Sequence, residues 1–390
     1  MKAVSIYIHI PFCIRKCLYC DFLSAPAGSQ EMENYVEALC SEIRKESKSY
    51  VNYTVQTIFI GGGTPSVLPG RSIEQILKAV CEFYHVDQDC EISMEINPGT
   101  VTSDKLVYWK RAGINRLSIG LQSAVDQELK ALGRIHTVRD FLDTYASVVK
   151  SGFDNINIDL MSAIPKQSLS SYRGTLEMIT HLTPMPAHIS AYSLIVEEGT
   201  PFYESAPELP DEDCEREMYK ITGDFLRSMG YHQYEISNYA RTGFECRHNK
   251  VYWQRGNYVG FGVGAASMVE NVRFRNTEIT ENYVNHFLGK VSQEKEEVPV
   301  RESVQKLSVE EQMEEFMFLG LRMTKGISEK LFFEQFGRTV EQVYPGIVDE
   351  FCRKGLLCRK IDPKTGERWI ALTRWGIDVS NVVMAEFLLT

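Results

Sequence analysis

Short β-branched runs alternate with helix-period stretches through about residue 240. The runs cover 5–12, 57–60, 91–96, 116–121, 155–161 and 188–196, and each ends in glycine or polar residues. Between them, apolar positions recur at helical spacing over 31–49, 72–84, 141–150, 168–180 and 213–228. Strand and helix in this alternation predict a parallel sheet with helices outside, because parallel neighbours need a long crossover and a helix packs back onto the sheet. The expectation is an α/β fold, a partial (β/α)6 barrel in preference to an open sheet. In either architecture function gathers at the carboxyl ends of the strands.

Beyond residue 300 the pattern changes. Segments 309–323, 328–336 and 340–354 read as helices, and 356–359 and 368–372 flank the turn Asp362-Pro-Lys-Thr-Gly366 as a hairpin. Three helices and a hairpin predict a winged-helix-like module. The division expected is a barrel over 1–240, a connecting region over 241–300 and a C-terminal helical, winged-helix-like domain over 301–390. Segment 195–213, rich in Glu and Pro, reads as a flexible loop near the barrel mouth.

Composition narrows the partners. With 390 residues, 44% hydrophobic and 24% charged, the chain is an ordinary globular one of two or three domains. A net charge of −10 disfavours nucleic acid, which needs a basic face. Winged-helix modules often bind DNA, but residues 301–390 hold 13 Lys/Arg against 14 Asp/Glu, so protein docking or a lid over the barrel is expected instead. The start of the chain has no leader pattern, and no apolar run approaches the roughly 20 residues that span a bilayer. A cytoplasmic protein is expected, with peripheral contact at a membrane surface left open.

Three cysteines, Cys13, Cys17 and Cys20, follow the first strand in the spacing Cys-x3-Cys-x2-Cys. Three thiolates on a four-iron cluster leave one iron free to take a ligand from solution. The competing reading is structural zinc, with His9 or Asp21 as a fourth ligand. Zinc loops usually come as two Cys-x2-Cys pairs, and the other cysteines, at 40, 81, 90, 214, 246, 352 and 358, are scattered. Ten cysteines without a secretory leader fit a reducing compartment where thiols stay free for metals.

Further polar residues fall at strand ends. Gly61-Gly62-Gly63-Thr64-Pro65-Ser66 lets backbone groups approach a ligand's amine or carboxylate, and it lacks the Gly-Lys-Ser/Thr of a phosphate loop. Strand three ends at Glu95, strand four at Gln122, and strand five carries Asn157-Ile-Asp159. A lone polar residue in a strand is usually a satisfied structural hydrogen bond, so their recurrence at equivalent places carries the weight. Arg134 follows in the next loop as a two-point clamp for a carboxylate.

These residues resemble the radical S-adenosylmethionine enzymes, within them the oxygen-independent coproporphyrinogen III oxidase group and its heme-chaperone branch. The resemblance covers nearly the whole chain. It rests on Cys13-Ile-Arg-Lys-Cys17-Leu-Tyr-Cys20, Gly61 to Ser66, Gly113-Ile-Asn-Arg-Leu-Ser-Ile-Gly-Leu-Gln-Ser123, Asn157-Ile-Asp159 with Ile164-Pro-Lys-Gln167, and His248-Asn-Lys-Val-Tyr-Trp253. It implies a 4Fe-4S cluster on Cys13, Cys17 and Cys20, with S-adenosylmethionine on the open iron. It further implies that Tyr7, Tyr19, Gly62, Gly63, Thr64 and Glu95 hold this S-adenosylmethionine, and that Gln122, Arg134 and Asp159 match positions holding a second one in the oxidase. The cluster would deliver one electron to the sulfonium, giving methionine and a 5′-deoxyadenosyl radical, inside a mouth that keeps water out.

One departure separates the branches. The oxidases carry a further cysteine two residues after the cluster loop, where this chain has Phe22, and the chain starts only a few residues before strand one, without the oxidase's N-terminal arm. Both features point away from porphyrinogen decarboxylation, which stays as the alternative. His248, Asn249 and Tyr252, expected on a loop, form the second site. A lone loop His is ordinarily a hydrogen-bonding residue, and with the resemblance it reads as a heme ligand, with Asn249 and Tyr252 fixing the ring or a propionate. Cys246 is a second candidate ligand. The implied role is a heme chaperone whose partners are heme, apo-hemoprotein acceptors and a flavodoxin- or ferredoxin-like electron donor, working as a homodimer.

Overall fold

The structure, a computed structural model, describes residues 1–289 and 300–389. Its frame is six parallel strands, β1 Lys2–Ile10, β2 Tyr53–Gly62, β3 His85–Ile96, β4 Arg116–Gln122, β5 Ile156–Ser162 and β6 His188–Ser193, which lie in the sheet in sequence order. Helices such as Ser29–Glu46, Gly70–Phe83, Ser103–Arg111, Val138–Lys150 and Leu169–Thr180 supply the crossovers, and Glu212–Ser228 follows β6. Thr137 and Ser168 close capping boxes at the starts of two of them, each worth about 1 kcal/mol.

The two faces of the strands differ, because successive side chains point to opposite sides. One face carries Ile6, Ile8, Ile58, Ile60, Met94, Leu117, Ile119, Ile158 and Ile189, which pack with Leu39, Ile76, Val80, Leu106 and Leu176 of the helices. The other carries Ser5, Thr57, Glu91, Ser93, Arg116, Ser118, Asn157 and His188, polar and yet buried. A curved parallel sheet with its apolar face under helices leaves this polar face lining the lumen of the partial barrel. The lumen is therefore hydrogen-bonded rather than packed.

The sheet does not stop at six strands. Past β6 it adds β7 His232–Gln233 and β8 Asn238–Ala240, with β8 antiparallel to β6. Past β1 it adds β9 Tyr258–Phe261, parallel to β1, then β10 Ala266–Val269, β11 Val272–Asn276 and β12 Arg301–Lys306, each antiparallel to its neighbour. The described part of the connecting region expected over 241–300 thus continues the barrel's own sheet, while 290–299 lie outside the described residues.

The C-terminal module has its own core around Met317, Phe332, Tyr344, Val348, Ile370 and Phe387. Helix Val309–Gly320 is followed by β13 Ile327–Ser328, which joins the hairpin of β14 Leu357–Ile361 and β15 Arg368–Leu372 in the order β13-β15-β14. The hairpin strand thereby gains a partner that the sequence pattern did not show. The single helix expected over 340–354 is two, Val340–Val343 and Ile347–Arg353. Pro345 offers no N–H and Gly346 takes φ +75°, so the chain turns between them. The loop over 195–213 is also more ordered than expected. It holds helix Pro201–Ser205, whose Phe202 is buried and donates its N–H to Leu18 O at 3.0 Å. No helix among the described residues is long and apolar enough to cross a membrane.

Candidate functional site

The loop after β1 brings the three cysteines to the mouth of the barrel. Backbone bonds fix it, with Cys13 N–H on Ala25 O at 3.1 Å, Leu18 N–H on Leu132 O at 3.1 Å and Cys20 N–H on Cys17 O at 3.3 Å. Gly133 leaves room for it, since a Cβ there would sit 2.8 Å from Leu18 Cγ. All three thiols are free, half-buried, and line one cavity of ≈ 120 Å³.

That cavity gathers most of the residues expected from sequence. Tyr19, Gly62, Gly63, Thr64, Glu95, Gln122, Arg134 and Asp159 all line it with the cysteines, from the ends of five different strands and the loops that follow them. The glycine turn is built for close approach. A Cβ on Gly63 would lie 2.7 Å from Phe12 O and 2.9 Å from Ile10 O, while Gly62 sits at φ +107° against the His9 ring. Thr64 Oγ1 lies 3.4 Å from Cys13 Sγ, so the glycine turn and the cysteine loop are in contact.

The electrostatics of the wall follow from burial. Glu95 accepts the Gly62 N–H at 3.1 Å, and burial, with the Asp159 charge beside it, pushes its carboxyl up to about 8. Burial also raises Asp159, opposed by hydrogen bonds from Ser118 at 2.9 Å and Asn157 at 2.7 Å. Arg134 donates to Gly120 O at 2.8 Å and to Cys17 Sγ at 3.7 Å, and its buried Nε has no partner. A Cβ on Gly120 would meet that guanidinium at 2.6 Å. Gln122 adopts φ +72°, a strained setting for a residue with a side chain, and its Oε1 accepts from Tyr192 at 3.1 Å.

These residues fit a cluster and an amino-acid-bearing ligand. A cubane takes one thiolate per iron at separate corners, whereas a single ion draws its ligands to one point. Among the described residues no three His, Cys, Asp or Glu side chains converge as a single-ion cradle. Cys13, Cys17 and Cys20 would hold the cluster, and the bare backbone of Gly62 and Gly63 beside Glu95 would take the ammonium and carboxylate.

Four expected residues lie outside the lining of that cavity. Tyr7 sits deeper in the lumen, with its hydroxyl 3.0 Å from His9 Nδ1. His248, Asn249 and Tyr252 are not on a loop but on helix Arg247–Trp253, which enters the lumen below the cavity. The Glu91 carboxylate accepts the backbone N–H groups of Arg247 at 3.1 Å and His248 at 3.0 Å, and so caps that helix. His248 is 1% exposed, with Nδ1 2.7 Å from Thr57 Oγ1 and Nε2 2.9 Å from Tyr252 OH. Both ring nitrogens have protein partners in this arrangement, and burial, with Arg116 nearby, lowers the imidazole to about 3. Cys246 is fully buried, its thiol raised to about 11 by burial.

Sequence reasoning passed over Tyr192, Ser118, Asn97 and Arg116. Asn97 donates to Thr64 Oγ1 at 2.9 Å, and Ser118 bonds Asp159. For Arg116, Ser118 and Tyr192 the signal was the alternation of polar residues along β4 and β6, visible in Arg116-Leu-Ser118 and His188-Ile-Ser190-Ala-Tyr192.

Comparison with known proteins agrees with this geometry. Residues 7–179 match the Radical SAM superfamily and residues 307–361 the HemN C-terminal domain. The heme chaperone HemW of Bacillus subtilis (strain 168) is 36% identical over 98% of this chain and 99% of its own. That of Escherichia coli (strain K12) is 41% identical over 69% of this chain and 71% of its own. The solved structure of coproporphyrinogen III oxidase (HemN) from Escherichia coli, described as a radical SAM enzyme, superposes with a TM-score of 0.83 at 21% identity, covering 100% of this chain and 90% of that one. At that identity the likeness speaks for the fold. The chain belongs to the radical SAM superfamily and, within it, to the HemW heme-chaperone family.

Proposed function

We propose that this protein is a heme carrier that binds heme and passes it to apo-hemoproteins, with a 4Fe-4S cluster on Cys13, Cys17 and Cys20 and S-adenosylmethionine beside it. The observation that carries the cofactor part is the single cavity shared by three free thiols, the Gly62–Gly63 turn, Glu95, Arg134 and Asp159. The heme part rests on what the family's named members are called.

When bound, the cluster and S-adenosylmethionine supply a one-electron reduction of a sulfonium. The chain's own residues orient and enclose. Gly62 and Gly63 present backbone to the ligand's polar head, Glu95 takes its ammonium once ionised, and Gln122, Arg134 and Asp159 hold the far side of the mouth. A flavodoxin- or ferredoxin-like donor, a homodimer and a cytoplasmic setting belong to the same proposal. His248, with Asn249 and Tyr252, belongs to the same proposal as the heme site, and its imidazole would have to leave its bonds to Thr57 and Tyr252 to ligate iron.

Anaerobic reconstitution with iron and sulfide, followed by heme titration and transfer to an apo-hemoprotein, tests the proposal. Heme uptake with no measurable turnover of coproporphyrinogen III is the expected result. Conversion of coproporphyrinogen III to protoporphyrinogen IX at rates that outrun heme transfer would replace it with the oxidase reading.

A further inference from the structure

The cysteine loop has a second face. All three thiols line the cavity that holds Glu95, Arg134 and Asp159, but Cys17 alone of the three also lines a shallow dish beside it. Ile14 and Arg15 of the loop, Pro98 from the turn after β3 and Ile135 from the loop after β4 form the wall of the dish. The Leu18 N–H bond to Leu132 O joins the two loops into one surface. The dish measures ≈ 20 Å³, room for about one water. A small ligand does not fit there; the flat surface of another protein does.

The surface is apolar and basic. Ile14 is 55% and Ile135 53% exposed. Arg15 stands in the wall and Lys16 follows it, exposed, on the same turn. Among the described residues no carboxylate pairs with either, and none lines the dish. Asp21 is the one acid of loop 13–22. Glu197, Glu198 and Glu204, which follow β6, line neither the dish nor the cavity. His136 lines the dish too, but burial, with Arg134 beside it, lowers its imidazole to about 4, so it adds no charge near neutrality. In a chain of net charge −10 this is a local cationic spot at a cysteine of the cluster loop.

We propose that this dish is the docking surface for an acidic one-electron carrier protein, with Ile14 and Ile135 as its apolar centre, Arg15 and Lys16 as its steering charges and Cys17 as the point of electron entry. The inference rests on the cluster part of the proposed function and gives its donor a site. Each encounter oxidises the carrier by one electron and reduces the cluster by one, with no bond made and no proton moved. Electron-transfer partners meet over small interfaces, and opposite charges set how fast they meet. The other side of the thiols cannot serve, because the cavity there, ≈ 120 Å³, is too small to admit a protein surface.

The test uses the reconstituted full chain with two acidic carriers in separate runs, a flavodoxin and a plant-type ferredoxin, and with dithionite as a small reductant that needs no docking. Calorimetry follows binding of the oxidised carrier, and bleaching of the cluster's visible absorbance follows its reduction. The variants are the double substitution Arg15→Glu with Lys16→Glu, then Ile135→Ser, and Lys48→Glu as a control for charge alone. Lys48 is exposed on the turn that leads into β2, at the far end of the sheet. At least one carrier should bind wild type, and its affinity should fall about tenfold from low to high salt. The double variant should lose about tenfold at low salt and be reduced correspondingly more slowly by the carrier, at an unchanged dithionite rate. Ile135→Ser should weaken binding at both salts, and Lys48→Glu should match wild type. Iron content shows whether each variant keeps its cluster; if the double variant does not, Ile135→Ser and the salt dependence of wild type decide the matter. Carrier binding that salt and Ile135→Ser both leave unchanged, or that Lys48→Glu weakens as much as the loop substitutions do, overturns the surface. A wild type that dithionite reduces and neither carrier binds overturns the donor class while the cluster stands. A wild type that takes up no iron overturns the cluster reading itself.

Discussion

His248 on the Arg247–Trp253 helix and Thr57 on β2 are joined side chain to side chain at 2.7 Å, across 191 positions of sequence. The bond lies inside the lumen, where burial favours the neutral imidazole. Burial lowers the folded-state value to about 3 from the ordinary 6.5. A depressed histidine contributes stability that is complete above 6.5 and lost as pH falls from there towards 3, because the unfolded chain takes up the proton first. The loss is up to about 1.4 kcal/mol per pH unit in that window. His248→Gln keeps a hydrogen bond and cannot titrate. Denaturant midpoints from pH 7 to 4 should therefore fall more steeply for wild type than for the variant; parallel curves would show that the imidazole is already solvated.

Gly63 should tolerate no side chain. The methyl of Gly63→Ala would press on the carbonyl oxygens of Phe12 and Ile10, both backbone and neither free to move. The turn must shift, at a cost of about 1–3 kcal/mol by analogy with overpacked sites. Displacing it moves the backbone that faces Glu95, so S-adenosylmethionine affinity should drop at least tenfold in equilibrium dialysis. Gly152→Ala is the control. Gly152 also has positive φ, at +81°, but nothing lies within 4 Å of its added Cβ, so it should strain the backbone locally and leave affinity unchanged.

The cysteine loop should lose its cluster one thiol at a time. Cys13→Ser, Cys17→Ser or Cys20→Ser should each drop iron from about four per chain to a small residue after anaerobic reconstitution. Cys214→Ser and Cys358→Ser, which do not line the cavity, should keep it. Stoichiometric zinc in place of iron in strictly anaerobic material would end the cluster assignment.

The contrast between these sites shows what a single sequence makes legible. Cys13, Cys17, Cys20, Gly62, Glu95, Gln122 and Asp159 could be placed because they sit at or near strand ends, and six parallel strands bring their ends to one side. Arrangement there follows from order along the chain. His248 could not be placed this way. Its helix is fixed by Glu91, 157 positions earlier, and Thr57, and no local pattern records such pairings. The break at Pro345-Gly346 was written plainly in the sequence and was overridden by the apolar spacing on either side. Tyr192 and Ser118 belong to strands that alternate polar and apolar residues, a pattern informative only once the face they share is known.

Glu315 should hold the two modules together. Its carboxylate lies between Arg255 at 3.0 Å and Arg273 at 2.6 Å, and both it and Arg255 are almost wholly buried. Removing one partner of a buried pair leaves an uncompensated charge, at about 3–5 kcal/mol. Glu315→Gln should lower the thermal midpoint and speed limited proteolysis between the barrel and residue 309. Double replacement with Arg255→Met should recover part of the loss.

Glu95 gives the opposite pH dependence from His248. Its folded-state value stands at about 8, above the ordinary 4.5, because burial and the Asp159 charge resist ionisation. A carboxyl raised in this way contributes stability that is complete below 4.5 and lost as pH rises through about 8. The effect is at most about 1.4 kcal/mol per pH unit, and smaller where cavity water screens the charge. Glu95→Gln imitates the protonated side chain and can still accept the Gly62 N–H. Without ligand, the variant should match wild type near pH 5 and exceed its thermal stability near pH 9. With S-adenosylmethionine present the order should invert, since the amide cannot neutralise an ammonium. A variant that is less stable than wild type at pH 9 without ligand would mean that Glu95 is ionised and already paired in the empty cavity.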